Sequence, residues 1–293
     1  MKSKLIVLVL FLSMANSVFA QNDLLDKLDN EHQDIDNYTV LTFKGTRISI
    51  GHSVETRKKN TLEISFMSRY WDIPNSNGKS FIADRMSARF GLDYGISDRL
   101  TFGFGYGAGK PTGILDTYLK YRLFRQTNDG KNPLSVTLLQ TAAYRTRFVN
   151  GIESRNDFGS KLAFTSQVLI AHKFSRNFSL QIAPTFIHRA SSRSPLDDHN
   201  HFAVGFGGRY KVSNHVAIAS EYYYVANELE SRETFGAFSL GVNWEVSKLL
   251  LQFKMTNNQF FNEDTFITQT TKNFNFNDGN LFFGFHATYY LQF

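Results

Sequence analysis

The chain has 293 residues, no cysteine, 15% aromatic residues and a formal charge of +6 at neutral pH. The lack of cysteine excludes disulfides and a lipid anchor on an N-terminal cysteine, and so mild a charge gives no case for nucleic acid as a partner. Mean hydropathy is negative despite 29 Phe and 13 Tyr, and strands that are apolar on one face and polar on the other reconcile the two.

Residues 1–20 have the layout of a secretory signal: Lys2 and Lys4, an apolar run from Leu5 to Leu12, then a polar stretch closing on Val18-Phe19-Ala20. Cleavage is expected before Gln21, because an apolar run of about ten residues is too short to remain as a membrane helix. Removing Lys2 and Lys4, with no acid, takes the charge from +6 to +4. Residues 21–58 form an N-terminal periplasmic or plug segment. Its start is acidic (Asp23, Asp26, Asp29, Glu31, Asp34, Asp36) and reads as a tail, whereas residues 40–56 read as a plug whose acidic and small residues meet a basic wall.

From residue 59 to the end, period-two alternation dominates. Leu62, Ile64 and Phe66 alternate with Glu63, Ser65 and Met67; Phe90, Leu92 and Tyr94 with Arg89, Gly91 and Asp93; Phe102, Phe104 and Tyr106 with Gly103, Gly105 and Gly107; Leu119, Tyr121 and Leu123 with Lys120 and Arg122. Further strands are expected at 134–145, where Gln140 interrupts the apolar face, and at 161–174, 177–189, 202–212, 215–226, 235–246 and 248–257. In the last strand Leu281, Phe283, Phe285, Ala287, Tyr289, Leu291 and Phe293 share one face. The strands total about twelve. Short turns alternate with long loops at 71–81, 146–160, 190–200, 227–234 and 258–280, the layout of an antiparallel up-and-down transmembrane β-barrel in an outer membrane. A soluble sandwich or lipocalin-like barrel is the alternative, but the polar face here is rich in Gly, Ser, Thr and Gln, and the aromatics are spread over all strands. Phe285, Tyr289, Leu291 and Phe293 suit an assembly signal through which barrel assembly machinery adds the strand to a sheet edge and leaves its apolar face toward lipid.

Several stretches resemble a family of membrane-bound β-barrel proteins of unknown function common in Bacteroidota. They are Thr42-Phe43-Lys44-Gly45-Thr46-Arg47, Gly51-His52-Ser53-Val54-Glu55, Gly91-Leu92-Asp93-Tyr94-Gly95-Ile96, Tyr118-Leu119-Lys120-Tyr121 and Ala219-Ser220-Glu221-Tyr222-Tyr223-Tyr224. The resemblance runs from about residue 38 to the end and implies a barrel and the outer membrane; it carries no activity and no functional residue.

With the bulky apolar face toward lipid, parity points Arg85, Arg89, Lys120, Arg122, Arg209, Lys254, Glu63 and Glu221 into the lumen. Arg69, Lys161, Lys173, Arg189, Lys211, Asp93, Asp116 and Glu245 join them. The basic excess predicts either a passive pore favouring anions or a filled barrel whose charges pair. A structural or partner-binding barrel of an envelope complex is the other reading, with Phe260, Phe261, Phe266, Phe274 and Phe276 of the 258–280 loop as its surface. Asp197-Asp198-His199-Asn200-His201 resembles the Asp and His pair of outer-membrane proteases, but no Asp-x-Asp stands in another loop to complete it. Two histidines in a loop are a weak metal signal, and the chain lacks the His-x-Ser arrangement of a lipase. The glycines at 103–107 and 205–208 sit inside strands, which removes a phosphate-loop reading and leaves room in the lumen. No cofactor, metal or catalytic residue is expected.

Overall fold

The computed structural model describes residues 38–39, 41–71, 84–108, 113–146, 157–192, 194–275 and 280–293. The predicted signal, the acidic stretch, nearly all of the 71–81 loop, residues 147–156 and Phe276 lie outside them. Twelve strands form: β1 (Thr61–Trp71), β2 (Arg85–Gly95), β3 (Leu100–Ala108), β4 (Ile114–Phe124), β5 (Ser135–Arg145), β6 (Leu162–Lys173), β7 (Phe178–Arg189), β8 (Asn200–Lys211), β9 (Val216–Val225), β10 (Phe238–Val246), β11 (Leu249–Thr256) and β12 (Phe282–Gln292). Each pairs antiparallel with its neighbours in sequence, and β1 closes the barrel on β12 from Thr61↔Gln292 to Tyr70↔Phe283. Closure removes every sheet edge, which is what hydrocarbon demands of a backbone.

The alternation read from the sequence becomes an inverted amphipathy. In β3, Thr101, Gly103, Gly105 and Gly107 are buried, while Phe102, Phe104 and Tyr106 are 41%, 45% and 43% exposed. The same holds around the circumference: the outward face is Phe, Tyr, Leu and Val, and the inside is rich in Ser, Thr, Gln and charge. Such a surface is stable only against lipid.

Two local departures have physical causes. Pro184 lacks a backbone N–H, and the β6–β7 ladder is interrupted where Val168 and Leu169 face Pro184 and Ala183. Gln140, the polar break foreseen in β5, is exposed on the outer face and accepts a 2.5 Å hydrogen bond from Ser166 Oγ, its partner across the β5–β6 pair. Sharing that bond lowers the cost of two polar groups facing lipid.

The strand assigned to 235–246 starts only at Phe238, because Phe235 donates its N–H to Thr270 of the neighbouring loop. Lys161 precedes β6, in a 3-10 turn at Gly159–Lys161. Among the described residues one α-helix forms, α1 (Glu263–Thr268), in the β11–β12 loop with all six residues buried. It is at the end of the barrel that carries the long loops, the loop end; the short connections define the turn end.

Candidate functional site

The candidate site is the lumen, which residues 41–57 occupy. The chain approaches at the turn end, where Tyr38 bridges Thr127 and its ring lies under the Arg125 guanidinium at 4.8 Å. Thr39 N–H donates to Gln126 O at 2.9 Å. Inside, Arg47 and His52 form an antiparallel bridge, Ser53 N–H donates to Thr46 O at 2.9 Å and Ile48 N–H to Gly51 O at 3.1 Å. These bonds shape a hairpin with its tip at 48–51. Glu55 Oε1 accepts from the Thr42 and Phe43 amides at 2.8 and 3.3 Å, tying its two arms together.

Wall side chains from strands all around the barrel hold this hairpin. Lys120 Nζ on β4 donates to the carbonyls of Thr46, Ser53 and Glu55 at 2.7, 2.9 and 3.2 Å. On β9, Glu221 Oε2 accepts from three successive amides, Ser49 (2.8 Å), Ile50 (2.5 Å) and Gly51 (3.0 Å), an anion nest turned onto a wall carboxylate. Gln181 on β7 brackets the descending arm, accepting from Val54 N–H at 2.7 Å and donating to His52 O at 2.8 Å. Thr137 on β5 donates to Val54 O at 2.7 Å, and on β11 Gln252 donates to Ile48 O at 2.9 Å and Lys254 to Ser49 O.

Apolar contact adds to this. Phe43, Ile48 and Val54 lie in one cluster with the inward-facing Tyr118, Leu139 and Leu169, and Ile50 in another with Tyr223 and Phe266. Burying those four side chains contributes about 6–12 kcal/mol. Fixing roughly 17 residues costs at least as much, at about 1–2 kcal/mol each. The hydrogen bonds to the wall therefore decide whether the segment stays.

From the loop end α1 descends to meet the hairpin. Arg47 Nη1 pairs with Glu263 Oε1 at 2.8 Å, and Arg145 on β5 with Asp264 at 2.7 Å. Arg189 Nη1 donates to Thr268 Oγ1 at 3.3 Å, and Arg69 lies over the Phe261 ring at 5.0 Å. Hairpin and lid together close the lumen from both ends.

The residues expected to line the lumen divide three ways. Arg89, Lys120, Lys254, Glu63 and Glu221 are buried inside. Arg89 is paired with Asp116, and Glu63 with Arg57 at 3.1 Å. Arg122 and Arg209 are half-buried toward the turn end, paired with Glu55 at 3.2 Å and Glu245 at 2.8 Å. Arg85 departs from the parity assignment: it opens β2 at the loop end, where the inward direction has run past the filled lumen, and it is exposed. At the C-terminus Phe285, Tyr289, Leu291 and Phe293 lie on the outward side of β12, half-buried or exposed.

The room foreseen at the glycines is used by neighbouring side chains. The Arg89 guanidinium lies where a Cβ on Gly105 would be, and the Tyr118 ring does the same at Gly103. Asp197 accepts from the Ser231 amide and hydroxyl at 2.9 and 2.8 Å, and His199 Nδ1 is 2.7 Å from Arg189 O, so both residues of the hydrolase alternative brace their loops. His201 Nδ1 is 2.9 Å from Asn227 O, and among the described residues no three His, Asp or Glu converge as a metal site. In the 258–280 loop Phe261 and Phe266 are buried, Phe260 packs against the second cluster and Phe274 tilts on Phe238 at 4.2 Å. These four rings pack against side chains and strands at the barrel mouth.

Sequence reasoning missed Arg47, Glu263 and Asp264. Arg47 and Glu263 meet across 216 residues of sequence and Asp264 meets Arg145 across 119, and no local pattern announces either.

The model of the family described as a membrane-bound beta barrel domain, DUF5777, matches residues 43–291. The chain belongs to this family. The match opens at Phe43, so the family's domain takes in the hairpin as well as the strands. No curated protein matches the sequence. Among solved structures, the KdgM porin superimposes with a TM-score of 0.50 at 6% identity, over 78% of this chain and 98% of that one. An outer-membrane channel of Pseudomonas putida F1, described as COG4313, gives a TM-score of 0.50 at 14% identity, over 81% of this chain and 98% of that one. At such identities the likeness establishes the barrel fold shared with this family and nothing about solutes.

Proposed function

We propose that this protein is an outer-membrane pore for hydrophilic solutes, held closed by residues 41–57 and α1. The observation that carries the reading is that the hairpin contributes no strand. The ladder closes through β1 and β12 without it, so it can leave without breaking one inter-strand hydrogen bond, and it would leave behind a wall of Thr, Gln, Lys and Glu. An antiparallel barrel with an apolar outer face belongs to the outer membrane, with turn end and chain termini toward the periplasm. The Bacteroidota affiliation implied by the sequence stretches is part of the same reading. So are insertion by assembly machinery through the strand ending at Phe293, contact with outer-membrane lipid and the absence of a catalytic step or cofactor.

A structural or partner-binding role for an envelope complex is the second reading. Its support is the Arg47–Glu263 contact, which joins hairpin to lid across the lumen. Single-channel recording in planar bilayers separates the two. The full chain is expected to be silent or to flicker, and a form lacking both residues 21–57 and α1 to conduct steadily. Silence from a folded, deleted barrel would exclude the pore and leave the structural reading.

A further inference from the structure

Within the lumen most of the buried charges are paired or bonded to the hairpin or the lid, but the turn end holds a cavity of about 680 Å3 whose lining is mainly basic. Lys44, Arg176, Arg209 and Lys211 line it beside Lys173, whose Nζ donates to Leu41 O at 3.3 Å, and among the described residues Glu245 is the one acid of the lining. That carboxylate is engaged twice: Oε1 accepts from Arg209 at 2.8 Å, and Oε2 lies 3.1 Å from Lys44 Nζ. Leu41 and Phe43 give the cavity an apolar floor, which weakens screening and strengthens the field of the cations above it.

We propose that this vestibule binds a small multivalent oxyanion, a solute carrying two or more carboxylate or phosphate groups. Lys44, Arg176, Arg209 and Lys211 around one carboxylate repel one another, and a ligand with several negative charges offsets that repulsion at more than one point. A monovalent anion satisfies a single cation and gains little against solvent. Lys44 belongs to the segment that fills the lumen, whereas Arg209 and Lys211 belong to β8. An anion seated here touches hairpin and wall together and competes with Glu245 for both. The inference rests on the pore reading for its use, since it names the class of solute presented to the closed mouth.

Isothermal titration of the full chain, refolded in non-ionic detergent at low ionic strength, tests it with citrate and tripolyphosphate as probes and acetate as the monovalent comparison. Saturable binding of either multivalent probe, with none for acetate, is expected; the stronger probe tells carboxylate from phosphate. Arg176→Gln combined with Lys211→Gln should weaken that binding about tenfold or more. Lys131→Gln, on the exposed β4–β5 turn outside the cavity, should leave it unchanged. No binding, or binding indifferent to the double substitution, overturns the site. Binding that emerges only after the six acids between Asp23 and Asp36 are changed to Asn or Gln overturns the solute as its occupant and assigns the vestibule to the chain's own acidic stretch. Because titration does not depend on conduction, a silent bilayer leaves this result standing, and failed titration leaves the pore reading to its own test.

Discussion

Lys120 and Glu221 show at the scale of single residues how the wall addresses a backbone. Lys120 is fully buried and gives its three donors to three hairpin carbonyls, while Glu221 gathers three amides on one oxygen. Removing one side of such a contact strands the other side away from water. Lys120→Met should therefore cost about 2–4 kcal/mol of stability, read as a lower midpoint in urea unfolding from micelles. Glu221→Gln keeps one oxygen to accept the three amides, while it loses the charge and turns the other oxygen into an NH2 donor, so it should cost about 1 kcal/mol, clearly less than Glu221→Ala. Equal midpoints for Gln and Ala would mean that the nest of amides is not what holds the hairpin tip. Parity placed Lys120 and Glu221 inside from the sequence, because charge on alternate positions of an apolar strand has only one sheltered direction. The same parity runs through Tyr118 and Tyr223 but gives no reason for them, or for Leu139 and Leu169, to face inward. Inward apolar side chains contradict the binary pattern unless one knows that Phe43, Ile48, Ile50 and Val54 come to meet them.

The decisive element is a segment with no regular structure of its own. The strands were legible because a period of two survives loss of detail: Gln140 breaks the apolar face of β5, and β5 still forms. The hairpin at 41–57 has no period to read, and its conformation follows from donors and acceptors on the strands that surround it. The lid is the same case, since a six-residue helix is too short to be stable on its propensity and exists by burial of all six residues. Its phenylalanines could be read from composition as either docking surface or cover, and their packing at the barrel mouth is visible only in the fold. The position of the hairpin tip can be tested by a covalent bond. Ser49 Oγ and Ser239 Oγ on β10 are 2.6 Å apart, and the chain has no cysteine to interfere. Ser49→Cys with Ser239→Cys is expected to form a disulfide under mild oxidation, within the reach such bonds require. The bridged form should conduct less than the same protein after reduction. Free thiols that persist in the folded, oxidised sample would show that the tip does not rest against β10.

For the whole molecule the governing fact is that inside and outside are exchanged relative to a soluble protein. Leu119 and Lys120 are neighbours near the middle of β4, one 48% exposed and the other fully buried. In water this arrangement would be inverted. In a bilayer it is the low-energy one, because the side chain exposed to hydrocarbon is leucine and the charged one has its partners within the barrel. A cation forced onto the outer face at this height has no partner and must distort lipid or snorkel to reach water. Leu119→Arg should accordingly destabilise the barrel by about 2–4 kcal/mol in lipid vesicles. The same substitution at Phe293, at the turn-end rim, should cost no more than about 1 kcal/mol. Reversible unfolding in guanidinium with vesicles present measures both. Equal costs at the two positions would mean that the outward aromatics do not face a hydrocarbon layer at all, and would return the chain to the soluble β-domain that its negative mean hydropathy allows.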